Sequence, residues 1–257
     1  MRSDAVHRVL EEEIAEARSR RDGRPPRVLD VGGGSGVWAV PLASTGCEVT
    51  VVDPSPNALA TLQRRAADAG VAELITALQG DTEALHNYTP PGGADLVLGH
   101  GLLEYVDDVA TSLSSLVAAS APGGAVSVLV ANRYAAVLGR ALAGRLPEAL
   151  RVFHDPDGRL DGTTDTVLRR FDTEELKRRM QDAGLAVELV QGQDVFGYLV
   201  PGTVSEGVPG TTSDAAAGAG SESSAADALA ELERGAAARP PLRDIATRLH
   251  AVGRVVG

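Results

Sequence analysis

The sequence predicts an α/β fold with a doubly wound, mostly parallel sheet of seven strands, and three observations lead to it. Short apolar runs of strand length alternate with longer segments of helical periodicity along most of the 257 residues. A glycine-rich turn follows the first run, where residues 27–36 read RVLDVGGGSG, and Asp53 ends the second. Strands separated by helices form right-handed βαβ units, which bring the carboxyl ends of parallel strands to one edge of the sheet.

The predicted elements follow in chain order. Strands are predicted at 27–31, 48–52, 74–78, 94–98, 125–131, 185–190 and 245–256. Helices are predicted at 5–20 within an N-terminal helical segment 1–22, and at 37–45, 56–68, 107–120, 226–237 and from Asp172 onward. Residues 132–171 break the alternation and are predicted to form a small cap insertion, with an amphipathic stretch at 134–146. Residues 202–225 are rich in Gly, Ser, Thr and Ala and predict a flexible low-complexity loop. One pattern covers most of the chain, so residues 1–257 are predicted to form a single domain.

Composition limits the partners. The formal net charge of −11 disfavours non-specific binding to nucleic acid or anionic membranes, although it does not exclude a local basic patch. Cys47 is the only cysteine, so no intramolecular disulfide can form. The first residues lack the apolar core of a signal peptide, and no run approaches the ~18 apolar residues of a membrane span. We therefore expect a cytoplasmic protein with no membrane partner and no metal; the sequence does not predict an oligomeric state.

The glycine turn predicts a nucleoside ligand. Gly32, Gly34 and Gly36 have G-x-G-x-G spacing, and glycine is required where the backbone takes positive φ or lies close to a ligand. An acid at the tip of the second strand, here Asp53, can hold ribose hydroxyls. A dinucleotide fingerprint would require a third glycine where Val37 stands, so an NAD-dependent oxidoreductase is disfavoured. Asp30 disfavours a pyrophosphate and suits a cationic or zwitterionic ligand. The alternative is a plain strand–turn–helix whose glycines serve packing.

These residues resemble motif I of class I S-adenosylmethionine (SAM)-dependent methyltransferases, which reads (V/L)-L-D-x-G-x-G-x-G. The resemblance implies a Rossmann-like sheet of order 3-2-1-4-5-7-6 and SAM as the cofactor. It implies that Gly32, Gly33 and Gly34 pass close to the methionine part of SAM, and that Asp53 accepts hydrogen bonds from the ribose. Asp53 could instead cap the following helix. The cofactor-binding residues implied in this way are Arg2, Asp30, Gly32, Gly33, Gly34, Asp53, Pro54, Asp81, Thr82 and His100.

A narrower resemblance comes from residues 95–108, which read DLVLGHGLLEYVDD. This segment is similar to the D-L-(I/V)-L-x-H-x-(V/L)-L-E-(W/Y)-V-x-D motif of the tRNA 5-carboxymethoxyuridine methyltransferase group, which methylates the carboxylate of a modified wobble uridine. The N-terminal RSDAV, whose Arg2 would bind the SAM carboxylate, and the tail around 228–252 resemble the same group. The basic run that members acting on tRNA can carry in the cap is missing at 149–158.

His100 is the predicted catalytic residue, placed beside the sulfonium and the acceptor. A hydroxyl or amine acceptor requires a general base, whereas a carboxylate is already ionised at pH 7 and requires only a clamp. Glu104 and Tyr105 are expected to shape the acceptor pocket or to cap the next helix, and Arg133 and Tyr134 are candidates for the clamp. The partner is expected to be a modified tRNA or a small metabolite, the latter favoured by the acidic charge. A SAM-binding regulatory module without turnover is the alternative of another class.

Overall fold

The structure is a computed structural model that describes residues 5–82, 85, 88, 92–160, 165–200 and 222–255. The strands within these residues are β1 (Arg27–Val31), β2 (Glu48–Asp53), β3 (Ile75–Gln79), β4 (Ala94–His100), β5 (Ser120–Ala131), β6 (Leu185–Gln193) and β7 (Arg248–Val255). They form a seven-stranded sheet of order β3-β2-β1-β4-β5-β7-β6. The predicted α/β class and the strand order implied by the motif I resemblance are both confirmed.

The helices of the described residues are α1 (Ala5–Arg20), α2 (Ala39–Ser44), α3 (Pro56–Asp68), α4 (Val109–Ala119), α5 (Arg133–Leu142), α6 (Leu146–His154), α7 (Thr173–Asp182) and α8 (Glu222–Ala236). None of them is long and apolar enough to cross a membrane. The chain thus alternates strand and helix up to β5, except between β3 and β4, where no α-helix occurs among the described residues and none was predicted. It then adds α5 and α6 before the alternation resumes.

The first four strands are parallel and set the carboxyl edge of the sheet. β1 pairs with β2 on one side and with β4 on the other, and β2 pairs with β3. β4 is buried along its whole length, and β1 is buried at every residue after Arg27. Such near-continuous apolar strands are typical of a parallel sheet covered on both faces, which explains why these strands were predicted within two residues of their observed bounds.

Several element ends shift by one to three residues from the predictions, and three differences are larger or change the type of an element. The predicted turn at 121–124 lies inside β5, because the β4–β5 ladder begins at Ala94 and Ser120 and tolerates an irregularity before it resumes at Leu96 and Ala125. The amphipathic stretch at 134–146 is divided into α5 and α6, with Gly144 at φ +73° between them. Helix α8 begins at Glu222, so the last four residues of the predicted loop 202–225 are helical. Residues 202–221 of that loop lie outside the described residues.

The described residues divide into two compact units. The first unit comprises 7–82, 85, 88, 92–130, 174–189 and 251–255, and includes β1 to β4 and the glycine turn. The second unit comprises 5–6, 131–160, 165–173, 190–200 and 222–250, and includes the predicted cap with α5 and α6. The organisation of the chain as a single domain stays a prediction.

Candidate active site

The ends of neighbouring strands of the first unit bring the predicted polar residues to one edge. Asp53 ends β2 and pairs with Gln79, the last residue of β3. His100 ends β4, whose Leu98 pairs with Asp30 of β1. In a parallel sheet these carboxyl ends face the same way, which is where open α/β sheets bind ligands. The structure thus brings Asp30, Asp53 and His100 to the carboxyl edge of the sheet, and their roles in binding stay predictions.

The glycine turn after β1 has the backbone that its spacing predicted. Gly32, Gly34 and Gly36 have φ angles of +70°, +54° and +78°, which L side chains rarely adopt. Gly33 is required for a different reason: a Cβ atom there would lie 2.5 Å from Oδ2 of Asp30 and 2.9 Å from Cγ1 of Val51. The turn thus folds over the Asp30 carboxylate, and a side chain at position 33 would displace it.

Asp30 is the most unusual group in this part of the chain. It is 1% exposed, and neither carboxylate oxygen has a hydrogen-bond partner among the described residues. Desolvation by burial raises its pKa to about 7, and the nearby charge of Asp53 adds to this effect. A buried carboxylate without a partner is costly. The site therefore suits a ligand that brings a positive charge, and it would repel a phosphate.

Asp53 already holds the glycine turn but retains acceptor capacity. Its Oδ2 accepts a hydrogen bond from the Gly34 N–H (2.9 Å), and its Oδ1 accepts one from the Ser55 N–H (2.8 Å). Each carboxylate oxygen can accept a second hydrogen bond, so the ribose role fits the geometry. The alternative role as helix cap is wrong, because the Ser55 side chain caps α3 by accepting from the Ala58 N–H.

The residues after Asp53 and β3 lie around the same edge. The carbonyl of Pro54 accepts a hydrogen bond from Nε2 of Gln79 (3.3 Å), and the Gly80 N–H donates to the Asp53 carbonyl (3.2 Å). The next two residues differ in accessibility, because Asp81 is exposed and Thr82 is buried. The predicted roles of Pro54, Asp81 and Thr82 in binding the cofactor stay predictions, although all three follow a strand of the ligand-binding edge.

His100 is buried (8% exposed), and its Nε2 atom lies 2.8 Å from Oγ of Ser127 on β5. The ring of Trp38 meets His100 edge-on, with ring centroids 4.8 Å apart, and Trp38 also stacks on His7 of α1 at 4.6 Å. We call His7, Trp38 and His100 the aromatic row. Sequence reasoning missed Trp38 and His7, although the only tryptophan of the chain, two residues after the glycine turn, was an available signal.

Glu104 and Tyr105 follow β4 and were predicted to shape the acceptor pocket, and they differ from each other in exposure. Glu104 is buried, whereas the Tyr105 side chain is 52% exposed. Neither caps α4, because Asp108 accepts hydrogen bonds from the Ala110 and Thr111 N–H groups at its start. The pocket-shaping role remains the open prediction for Glu104 and Tyr105.

The remaining predicted residues do not belong to the first unit. Arg133 and Tyr134 begin α5 in the second unit, where Asn132 caps the helix through the Tyr134 N–H. The Arg133 guanidinium donates a hydrogen bond to the carbonyl of Pro156. This contact holds the loop after α6, so Arg133 has a local structural function, and the clamp role stays a prediction. Arg2 lies outside the described residues.

The strand order, the glycine turn and the acids at the strand ends define a class I SAM-dependent methyltransferase fold. The chain belongs to the methyltransferase-domain family, whose model matches residues 3–190. S-adenosylmethionine is the cofactor of this class, as the resemblance implied. No cluster of potential metal ligands occurs among the residues that the structure describes.

Two curated relatives each match less than half of the chain. A tRNA 5-carboxymethoxyuridine methyltransferase of Escherichia coli is 32% identical over 120 residues, which are 46% of this chain and 45% of the relative. A ubiquinone biosynthesis O-methyltransferase of Methylocella silvestris is 34% identical over 112 residues, 42% of this chain and 40% of the relative. The chain thus spans less than half the length of either protein.

Solved structures share the fold over nearly the whole chain. A SAM-dependent methyltransferase from Mesorhizobium loti superposes with a TM-score of 0.60 at 18% identity, covering 99% of this chain and 98% of that one. One from Methanosarcina mazei gives a TM-score of 0.59 at 14% identity, covering 91% and 93%. At these identities the likeness concerns the fold.

Proposed function

We propose that this protein transfers a methyl group from SAM to an oxygen or nitrogen atom of a small-molecule acceptor. One observation carries the proposal: the buried carboxylate of Asp30 has no partner among the described residues, and it lies under a glycine turn beside Asp53. The ionised form of this carboxylate is costly unless a ligand supplies the missing positive charge. SAM carries an ammonium and a sulfonium group, and its ribose offers the two hydroxyls that Asp53 can accept.

Each of these first-unit residues has its own role in binding SAM. Asp30 neutralises the positive charge of the cofactor, Asp53 accepts from the ribose hydroxyls, and Asp81 and Thr82 receive the adenine. Gly32 and Gly34 permit the close backbone approach. When bound, SAM supplies a methyl group that is already activated by the sulfonium. The protein therefore has to align the acceptor with that carbon and exclude water, and alignment can contribute roughly 7–11 kcal/mol in the best cases.

His100 is the residue best placed to act on the acceptor. The contact with Ser127 and the edge of Trp38 hold its ring in one orientation. An imidazole titrates near neutral pH, so it can remove the proton of a hydroxyl or amine acceptor. For a carboxylate acceptor the same ring would serve as a hydrogen-bond donor.

The second unit favours a small acceptor over RNA. Arg170 and Arg140 form ion pairs with Asp165 at 2.7 and 3.2 Å, and Arg140 also pairs with Glu148. Arg159 and Arg169 pair with Asp157 at 3.7 and 3.8 Å. Arginines that are engaged by the chain's own acids are less able to neutralise phosphates, and phosphate neutralisation dominates affinity for nucleic acid.

A modified tRNA uridine is the second candidate acceptor. It is favoured by the E. coli relative and by the DLVLGHGLLEYVDD segment. Incubation with methyl-labelled SAM and either total tRNA or a small-molecule extract separates the two. Label in the extract alone supports the small acceptor, and label in tRNA overturns it. Binding of SAM with no transfer to either pool would favour the regulatory module.

The role of His100 has its own test once an acceptor is found. We expect His100→Gln to lower kcat about 100-fold or more if the ring is a general base, with SAM affinity nearly unchanged. Ser127→Ala is the matched control, because it removes the ring's partner and keeps the ring. A kcat of the Gln variant equal to that of the wild type would exclude the general-base role.

A further inference from the structure

Helix α6 of the second unit has its large apolar side chains on the outside. Ala149 and Val152 are its buried residues, whereas Leu146, Leu150 and Phe153 are 58%, 58% and 54% exposed. Leu142, at the end of α5, is 66% exposed. Leu146, Leu150 and Phe153 have the spacing of one face of α6, and Leu142 precedes them at the end of α5. We call these four side chains the apolar stripe. Single exposed leucines are common, but a row of large apolar residues marks an interaction surface.

The same hairpin is the basic part of an acidic chain. Residues 133–154 contain four arginines and one glutamate, a formal charge of +3, whereas the whole chain carries −11. Arg145, Arg151 and His154 are exposed. Arg140 is held by Asp165, and Arg145 has a 3.6 Å surface ion pair with Glu148, which is a weak contact, whereas Arg151 has no ion pair among the described residues. Large apolar side chains flanked by arginines on one short hairpin are complementary to a surface whose outer layer is negatively charged and whose inner layer is apolar.

We propose that the α5–α6 hairpin docks on the surface of an anionic lipid bilayer. The apolar stripe enters the boundary between headgroups and acyl chains, and Arg145 and Arg151 meet the lipid phosphates. This is how amphipathic helices lie in a membrane interface without crossing it. The overall charge of −11 led us to expect no membrane partner; the proposal restricts contact to the one hairpin whose local charge is positive.

Two other occupants fit the hairpin less well. A second copy of the chain would form a two-fold interface, in which each residue meets the equivalent surface of its partner. Two hairpins of charge +3 would then face each other, which is unfavourable. Single-stranded RNA binds through aromatic side chains on which bases stack. Three of the four side chains in the apolar stripe are leucines, which offer no such platform.

The expected binding is weak and depends on charge. A short hairpin with four apolar side chains gives reversible attachment, so anionic lipid must supply part of the affinity. Contacts between exposed arginines and phosphates are screened by salt over about 10 Å at 0.1 M ionic strength. Binding should therefore fall as salt is added, and neutral lipid should bind little protein. None of this depends on the proposed methyl transfer.

The test is co-sedimentation with vesicles of phosphatidylcholine alone and with about one quarter phosphatidylglycerol. We expect the wild type to sediment with the mixed vesicles at low salt. The variant Leu146→Ser/Leu150→Ser/Phe153→Ser should lose about tenfold or more in lipid affinity. Arg145→Gln/Arg151→Gln should lose the preference for anionic lipid. Leu232→Ser on α8 is the matched control, because Leu232 is 57% exposed and lies in the same unit.

Three results would overturn the proposal. They are a wild type that does not sediment with anionic vesicles at low salt, a serine variant that binds as well as the wild type, and a loss in Leu232→Ser equal to that of the serine variant. Sedimentation velocity identifies the remaining case: a dimer that dissociates in the serine variant, without lipid binding, would assign the surface to a second copy. SAM affinity should be the same in all variants, which shows that they are folded and separates this test from that of the proposed function.

Discussion

Two carboxylates, one in each unit, show what separates a ligand site from a structural ion pair. Asp165 of the second unit accepts hydrogen bonds from Arg170 at 2.7 and 2.8 Å and from Arg140 at 3.2 Å. Asp30 of the first unit is more deeply buried and has no partner among the described residues. The chain contains 24 basic residues, so an arginine beside Asp30 was chemically available. Leaving this carboxylate unpaired costs stability, and such a cost is usual at functional sites.

The comparison also explains why most arginines of the second unit are poor candidates for binding the phosphates of RNA. Arg140 and Arg170 satisfy Asp165, Arg159 and Arg169 satisfy Asp157, and Arg254 of the first unit does the same with Glu13, Glu16 and Glu188. Charges that are paired within the fold add little to ligand recognition. The predictions below test whether the contrast between paired and unpaired groups is functional, and they run from the largest expected effect to the smallest.

The largest effect is expected from Asp53→Ala. This change removes the acceptor of the Gly34 and Ser55 N–H groups and of the ribose hydroxyls, so SAM affinity should fall by about 10- to 100-fold. Calorimetric titration with SAM measures it, with NAD as the negative control ligand. Asp53→Asn, which keeps the shape and one acceptor oxygen, should retain an intermediate affinity. Wild-type affinity in the alanine variant would show that Asp53 is not the ribose ligand.

Asp30→Asn should change binding and stability in opposite directions. Without the carboxylate, SAM affinity should fall about tenfold. The ligand-free variant should be more stable than the wild type, because the asparagine carries no charge to desolvate. The pKa of Asp30 is raised from 3.8 to about 7, so the folded wild type binds a proton that the unfolded chain has released. Its free energy of unfolding should therefore decline, through this group, between about pH 4 and pH 7.

Denaturant melts at several pH values without SAM measure this difference. The gap between Asp30→Asn and the wild type should widen from pH 4 to pH 7 and stay constant above it. If the free energy of unfolding has the same pH dependence in both proteins, Asp30 is not a buried carboxylate without a partner. SAM affinity of the wild type should rise over the same window, as the carboxylate becomes ionised.

The first unit was more predictable from the sequence than the second, and the reason is physical. Alternating apolar runs and a glycine turn are local signals, and they located β1, β2 and α3 almost to the residue. The unpaired state of Asp30 depends on which side chains approach it in space, so the sequence could only suggest a cationic ligand. The stacking of His7 on Trp38 joins residues 31 positions apart, and no periodicity marks it. In the second unit Gly144 divides a continuous amphipathic pattern into two helices, which the pattern alone did not reveal.

Asp165→Asn tests the paired side of the comparison. It breaks the ion pairs to Arg170 and Arg140 and should lower the free energy of unfolding by about 1–3 kcal/mol. SAM affinity should stay within about twofold of the wild type, well inside the ~1.4 kcal/mol that a tenfold change represents. Thermal melts and calorimetry on the same samples give both values. A tenfold loss of SAM affinity in a stably folded variant would contradict the assignment of Asp165 to structure alone.

The smallest effect concerns the aromatic row. Trp38 is the only tryptophan, so its fluorescence reports on this place alone. We expect SAM to change its emission in the wild type, because Trp38 follows the glycine turn by two residues and its ring centroid lies 4.8 Å from that of His100. His7→Phe keeps a ring stacked on Trp38 and should preserve SAM affinity, whereas His7→Ala should lower it only about twofold, since an aromatic pair contributes about 0.5–1.5 kcal/mol. An emission that changes neither with SAM nor with the His7 substitutions would show that Trp38 does not report on the SAM site.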